Sequence, residues 1–149
     1  MDMEELNIKN EINGIPAELI SEKNPKPQGP KEAKRAEIAP YYIKGRGVYV
    51  PVIEKVIAMQ DLEGGKDLPW SKAKGVAASK EDWHVILYWK EKINALLLEH
   101  GGKPIEGWHW TGTKSQYNAT NAWLVNMYSG GVTTYNKTTT YRVRPVSAL

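Results

Sequence analysis

Cysteine and phenylalanine are both missing from this chain of 149 residues. Without cysteine there is no disulfide, no thiolate metal site and no cysteine nucleophile. Aromatic content falls instead on 6 Trp and 8 Tyr. Both types join a large apolar body to a polar tip, which suits half-buried positions and interfaces. Carboxylates run out early, with Glu106 the last of them. The final third therefore cannot build an acid/base pair or a carboxylate-rich calcium site by itself. Long apolar runs are lacking too. No stretch approaches the roughly 18 residues of a membrane span, and the first twenty residues have neither a signal nor an anchor pattern. The sequence predicts a chain made in the cytoplasm, free of membrane segments, that could be incorporated into a phage particle.

The length suits one domain with a real core. A formal charge of +3 is mild, and its basic residues are scattered rather than clustered as phosphate binding requires. Lys114, Lys137, Arg142 and Arg144 lie among aromatics, so a small positive patch of Arg142 and Arg144 on one strand face is expected. A single-stranded nucleic-acid platform is thus the weakest of the readings. Catalytic signatures are missing: no G-x-S-x-G, no P-loop and no G-x-G-x-x-G occurs. His84, His100 and His109 are far apart and none has metal spacing. His84 and His109 follow Trp in strand-like runs and read as packing residues, while His100 suits a helix end. Glu81, Asp82 and Glu91 read as helix-start and surface charges. The sequence predicts no enzyme, no cofactor and no metal.

Residues 21–39, "SEKNPKPQGPKEAKRAEIA", carry three prolines and alternating charge, too little apolar surface to offset ordering entropy. Residues 1–39 are therefore expected to be a flexible arm. Its apolar positions Leu6, Ile8, Ile12, Ile15, Leu19 and Ile20 are a candidate contact for homo-oligomers. The domain is expected over residues 40–149. "YYIKGRGVYVPV" reads as strands with a turn at Gly45 and Gly47, and Pro51 marks an edge or bulge. Trp70, Ala73, Ala77 and Ala78 predict a first helix over residues 70–79. "LYWKEKINALLLEHGG" predicts a second, stopped by Gly101 and Gly102. Beyond His100 the period becomes two, with a hairpin at Gly130 and Gly131. The terminal sheet is expected to have one apolar and one mainly polar face. Strands, two helices, then strands make the fold class α+β.

From Ser115 to Val146, "SQYNATNAWLVNMYSGGVTTYNKTTTYRVRPV" contains Asn, Thr, Ser and Tyr but no acid. Antibody loops use the same residues for adaptable contact. Candidate ligand-binding positions are Thr113, Ser115, Tyr117, Asn118, Thr120, Asn121, Asn126, Tyr128, Thr133, Tyr135, Asn136, Thr138 and Thr140. Tyr117, Tyr128 and Tyr135 serve as anchors, and the asparagines as hydrogen-bonding groups. The sequons at Asn118 and Asn136 belong to an Asn/Thr-rich segment and predict no glycosylation in a chain without a signal.

"WSKAKGVAAS", "DWHV", "WHWTGTKS", "NAWLVNMYSGG" and "YRVRPV", in that order over about residues 67–146, resemble the C-type lectin-like domains of bacterial and phage surface proteins. Among these the chain is most similar to the variable proteins of diversity-generating retroelements. There, mutagenesis at template adenines varies exposed positions on a fixed scaffold, and Asn is a typical starting residue. The resemblance implies a C-type lectin-like fold, two helices packed on short antiparallel strands with a polar C-terminal sheet. Trp108, Trp110, Ala122, Trp123, Val125, Val143, Arg144, Pro145 and Val146 would form its frame, and the intervening polar positions would face ligand. "WHVILYW" stands where the family has a proline after "WHV". The calcium-dependent sugar motifs are missing, and the cysteines of the related sulfatase-activating enzymes are missing as well. The function implied is non-enzymatic recognition of a protein or glycan on another cell or particle. The alternative is a structural or assembly component of a virion or surface layer.

Overall fold

Tyr41–Ile43 (β1) and Gly47–Val50 (β2) form an antiparallel hairpin whose turn uses Gly45 at positive φ. Gly47 is required for a different reason: its φ is +145°, and a Cβ there would collide with the Ile57 carbonyl on the neighbouring strand. That neighbour, Lys55–Ile57 (β3), pairs with β2 after a turn begun by Pro51. Val146–Ser147 (β9) then pairs with β3, completing a sheet of order β1-β2-β3-β9. The computed structural model describes residues 35–149. Ala39–Leu149 make up one compact unit, and the arm expected over residues 1–39 lies, up to residue 34, outside the described residues.

Leu68–Pro69 (β4) pairs with Thr140–Tyr141 (β8), a contact between segments far apart in sequence. Trp108–Lys114 (β5), Asn121–Asn126 (β6) and Val132–Asn136 (β7) form an antiparallel meander, with a register shift between Trp110 and Lys114. The turn from β6 to β7 falls where Gly130 and Gly131 predict it.

Two α-helices join the first sheet to the meander, and their positions correct the sequence reading. The helix expected over 70–79 is a single 3-10 turn at Trp70–Lys72. Gly75, at φ +73°, takes the chain out of helical geometry. The true helix α1 is Lys80–Tyr88, started by Ser79, whose Oγ accepts from the Asp82 amide at 3.0 Å. Glu81 and Asp82 place negative charge in its first turn. His84 therefore sits on a helix, exposed, rather than in a strand. Helix α2, Lys90–Glu99, follows after a break at Trp89 and ends at Gly101, with the Gly102 amide donating to the Leu97 carbonyl. His100 caps α2, its ring stacked on Tyr42 at 3.7 Å.

The meander lies between two cores. Trp83, Ile86, Ile93 and Leu97 of the helices pack with Val48, Ile57 and Val125 in the larger. On the other side Trp110, Ala122 and Leu124 meet Leu68, Trp70 and Val143. Each such Leu, Ile or Val contributes about 1.5–3 kcal/mol by leaving water. Both faces of β6 are thus covered, in place of the expected apolar and polar faces. Polar exposure moves outward to β7, the loops and the rim. The fold is α+β, and no helix among the described residues is long and apolar enough to cross a membrane.

Candidate ligand-recognition surface

A buried ionic clamp fixes the frame beneath the surface. Arg144 is 1% exposed. Its Nε donates to Asp61 Oδ1 at 2.7 Å, one terminal nitrogen to the Ala58 carbonyl at 2.9 Å, and the other to the Lys103 and Pro104 carbonyls at 2.9 and 3.2 Å. His109 Nε2 lies 2.9 Å from the same Asp61 oxygen. An ionised carboxylate only accepts, so Nε2 carries the proton. Burial alone would raise the Asp61 carboxyl. The hydrogen bond and charge of His109, with those of Arg144, outweigh it and hold the group below its ordinary range. For Arg144 burial dominates, and it lowers the guanidinium from its ordinary value despite Asp61. The clamp ties the segment before Leu62, the loop at Lys103–Pro104, β5 and the C-terminal segment into one body. The positive patch expected from Arg142 and Arg144 therefore does not form: Arg144 is internal, and Arg142 donates to the Glu106 carbonyl at 2.9 Å.

Above this frame three rings form a row. Tyr141 packs edge-on against the buried Trp110 at 5.3 Å, with Trp108 at 6.4 Å on one side and Tyr135 at 6.0 Å on the other. The register explains the row. Trp110 opposes Leu124 and Leu124 opposes Thr133, while Ala122 opposes Tyr135, so Trp108, Trp110, Thr133 and Tyr135 project from one face. Trp110 is anchored inward by its indole bond to the Leu68 carbonyl at 2.8 Å. Trp108 is 39% exposed and Tyr135 49%. Burial, then the Tyr135 and Asp67 charges, raise the Tyr141 phenol above its ordinary value, so it remains a neutral donor. Lys137 Nζ lies 4.9 Å from the centre of the Trp70 ring beside this face.

The loops at one end of the meander are held by repeated local turns. Asn118 Oδ1 accepts from the Thr120 amide and hydroxyl, at 3.0 and 2.7 Å. Asn136 Oδ1 accepts from the Thr138 amide and hydroxyl in the same way, at 2.9 and 2.7 Å. At the opposite end, on the β6–β7 turn, Asn126 Oδ1 takes the Tyr128 amide at 2.8 Å and the Ser129 amide at 3.3 Å. These asparagines shape the surface through their carbonyl oxygens. The two N-x-T sequences are one turn used twice, and the Lys137 amide bond to the Thr120 carbonyl sets them side by side.

The predicted positions thus separate into groups. Tyr117, at 83% exposure, joins Asn118, Thr120, Asn121, Asn136 and Thr138 at the loop end. Thr133, Tyr135, Asn126 and Thr140 border the aromatic row. Tyr128 stands exposed at the opposite end, on the β6–β7 turn that Lys90 fastens through the Met127 carbonyl. Two positions turn inward instead. Ser115 is buried and accepts from the Tyr117 and Asn118 amides. The half-buried Thr113 hydroxyl accepts from the Lys80 amide at the start of α1. Among the frame residues, Trp110, Val143 and Arg144 are buried. Pro145 and Trp123 are half-buried, the latter beneath Lys80 Nζ at 4.4 Å. Trp108, expected in the frame, lies open on the face.

Sequence reasoning did not place Tyr141 on the surface or Asp61 beneath it. Tyr141 shares a strand face with the apolar Val143, a pattern that points inward and so gave no surface signal. Asp61 carried no signal, because its partners lie 48 and 83 positions away. Among the described residues no group of three or more His, Asp or Glu could hold a metal. In comparisons with known proteins, no family model and no curated protein matches the chain.

Proposed function

We propose that this chain is a non-enzymatic recognition protein whose β5–β6–β7 face and adjoining loops bind a protein or glycan on another cell or particle. The observation that carries the reading is the contrast between frame and surface. Four large aromatics stay in solvent, Trp108 and Tyr135 on the meander and Tyr117 and Tyr128 on its connecting loops, among Asn and Thr side chains and without a carboxylate beyond Glu106. Exposed Tyr and Trp on rigid elements give large contact area for little rotamer entropy. The proposal includes a C-type lectin-like fold and a surface diversified as in the retroelement variable proteins. In favour of the fold are the pairing of β9 with β3, the three-stranded meander and the burial of Val143 and Arg144 in the "RVRPV" segment.

The test is binding of the fluorescently labelled full chain to a panel of intact bacterial and eukaryotic cells. The variant Tyr117→Ala/Tyr135→Ala is the comparison, its fold checked by circular dichroism. Saturable binding that the folded variant loses is expected. Equal binding by both proteins would remove this face from the function.

A further inference from the structure

Among the described residues, β7 leaves the longest open strand edge in the fold. It runs for 5 residues and pairs with β6 alone. The outer strands β1, β4, β8 and β9 are only two or three residues long. The far edge of the meander is sealed: the Trp110 amide of β5 donates to the Arg142 carbonyl at 3.0 Å, and the Gly112 amide to the Ala78 carbonyl at 2.7 Å. We propose that the β7 edge pairs antiparallel with the same edge of a second copy of this chain, making one continuous sheet about a twofold axis at Thr134. The inference stands on the backbone and does not need the recognition reading.

Two bonds fix the direction of the backbone groups. The Asn126 amide donates to the Gly131 carbonyl and the Lys137 amide to the Thr120 carbonyl, each at 2.8 Å. Bonded residues alternate along an antiparallel ladder, so Gly131, Thr133, Tyr135 and Lys137 turn their backbone groups toward β6. Val132, Thr134 and Asn136 turn theirs outward. The Asn136 carbonyl takes the Thr139 amide at 3.0 Å. The amides of all three, and the carbonyls of Val132 and Thr134, have no protein partner among the described residues.

The strand is complementary to itself. Pairing across Thr134 sets Thr134 against Thr134, Thr133 against Tyr135, Val132 against Asn136 and Gly131 against Lys137. Each outward amide then meets an outward carbonyl, and the Asn136 carbonyl has a second lone pair for the purpose. A twofold contact repeats every side chain, so a charge at its centre would face itself. Here β7 holds no charged residue and Lys137 faces a glycine. Open edges are commonly blunted by Lys, Pro or a bulge. "VTTYN" has neither residue, and its register with β6 is unbroken.

The assembly closes at two, because the sealed β5 lies at both ends of the joined sheet. Thr133 and Tyr135 share the face of Trp108 and Trp110, and a twofold normal to the sheet keeps like faces on one side. The two rows of Trp108, Tyr141 and Tyr135 then meet across the seam. Each Tyr135 would pack on the Thr133 opposite, an aromatic pair with a β-branched neighbour.

The experiment is sedimentation velocity of the full chain from micromolar to near-millimolar concentration. A monomer–dimer equilibrium is expected. Thr134→Pro removes an outward amide while leaving the bonds to β6, and should weaken the dimer about tenfold or more. Thr134→Cys gives a reading that does not depend on the proline variant folding. The chain has no cysteine, so a disulfide can only join two copies. Facing Cα atoms of a bonded antiparallel pair lie about 5.5 Å apart, within disulfide reach. Under mild oxidation Thr134→Cys should form covalent dimer faster than Tyr128→Cys, an exposed site on the β6–β7 turn away from the axis. The inference is overturned if the native chain stays monomeric throughout, as it would with residues 1–34 or a foreign strand on the edge. It is equally overturned if a folded Thr134→Pro dimerises as well as the native chain, or if both cysteine variants cross-link at one rate. A chain that dimerises through this edge but binds no cell would leave the inference standing and remove the recognition reading.

Discussion

Replacing Arg144 by Leu removes the centre of the clamp while keeping most of the side-chain volume. Four hydrogen bonds are lost, to Asp61 Oδ1 and to the Ala58, Lys103 and Pro104 carbonyls. What remains is a nearly buried carboxylate held by His109 alone and carbonyls without their donor. Breaking a buried pair in this way costs about 3–5 kcal/mol, a large part of the about 5–15 kcal/mol that a typical domain has. With an m-value of about 1–3 kcal/mol/M, the urea midpoint should fall by roughly 2 M. Tryptophan fluorescence reports the transition directly, since Trp83 and Trp110 are fully buried. The double variant Asp61→Asn/Arg144→Leu completes the cycle, and it should be less destabilised than the sum of the single changes because the stranded charge is gone. A loss below about 1 kcal/mol for Arg144→Leu would refute the clamp, and strict additivity would show that the pair does not interact.

Three shorter predictions concern Asp61, Ser79 and Gly47. Asp61 is held below its ordinary value of 3.8, so its contribution is fully present above that value and is lost as pH falls through the lower folded value. The native urea midpoint should therefore drop in acid below about pH 4, with a shallower drop in Asp61→Asn; identical acid profiles would contradict the assignment. Ser79→Ala deletes the cap on α1 and should cost about 1 kcal/mol, read as a melting temperature lower by about 5 °C. Gly47→Ala should prevent folding, since its Cβ would collide with the Ile57 backbone; a native-like circular dichroism melt would show that β2 and β3 are not so closely paired.

What could be read in advance was local. The hairpin turns at Gly45 and Gly130, helix α2 with its Gly101 stop, and the strand character of β5 and β6 each follow from signals within a few residues. Helix α1 was misplaced because Trp70, Ala73 and Ala77 share helical spacing without helical geometry. Their 3-10 turn packs on the second core, and Gly75 unwinds it. The Ser79 cap with Glu81 and Asp82 carried the correct start. The surface was legible as composition, but its division was not. Ser115 and Thr113 turn inward because neighbouring amides need acceptors, and Trp108 shares the face of the anchored Trp110 yet stays 39% exposed. The Asp61 clamp and the β4–β8 pairing depend on segments brought together only by the whole fold.

The central claim is that a fixed frame carries exposed contact positions, and natural sequence variation tests it most directly. The measurement is to sequence codons 108–146 and their flanks from many independent isolates. The account predicts a near-copy differing at adenines, with substitutions concentrated at Tyr117, Asn118, Thr120, Thr133, Tyr135 and Thr138 and none at Trp110, Leu124, Val143 or Arg144. Substitutions spread equally over exposed and buried codons, or confined to silent changes throughout, would contradict it.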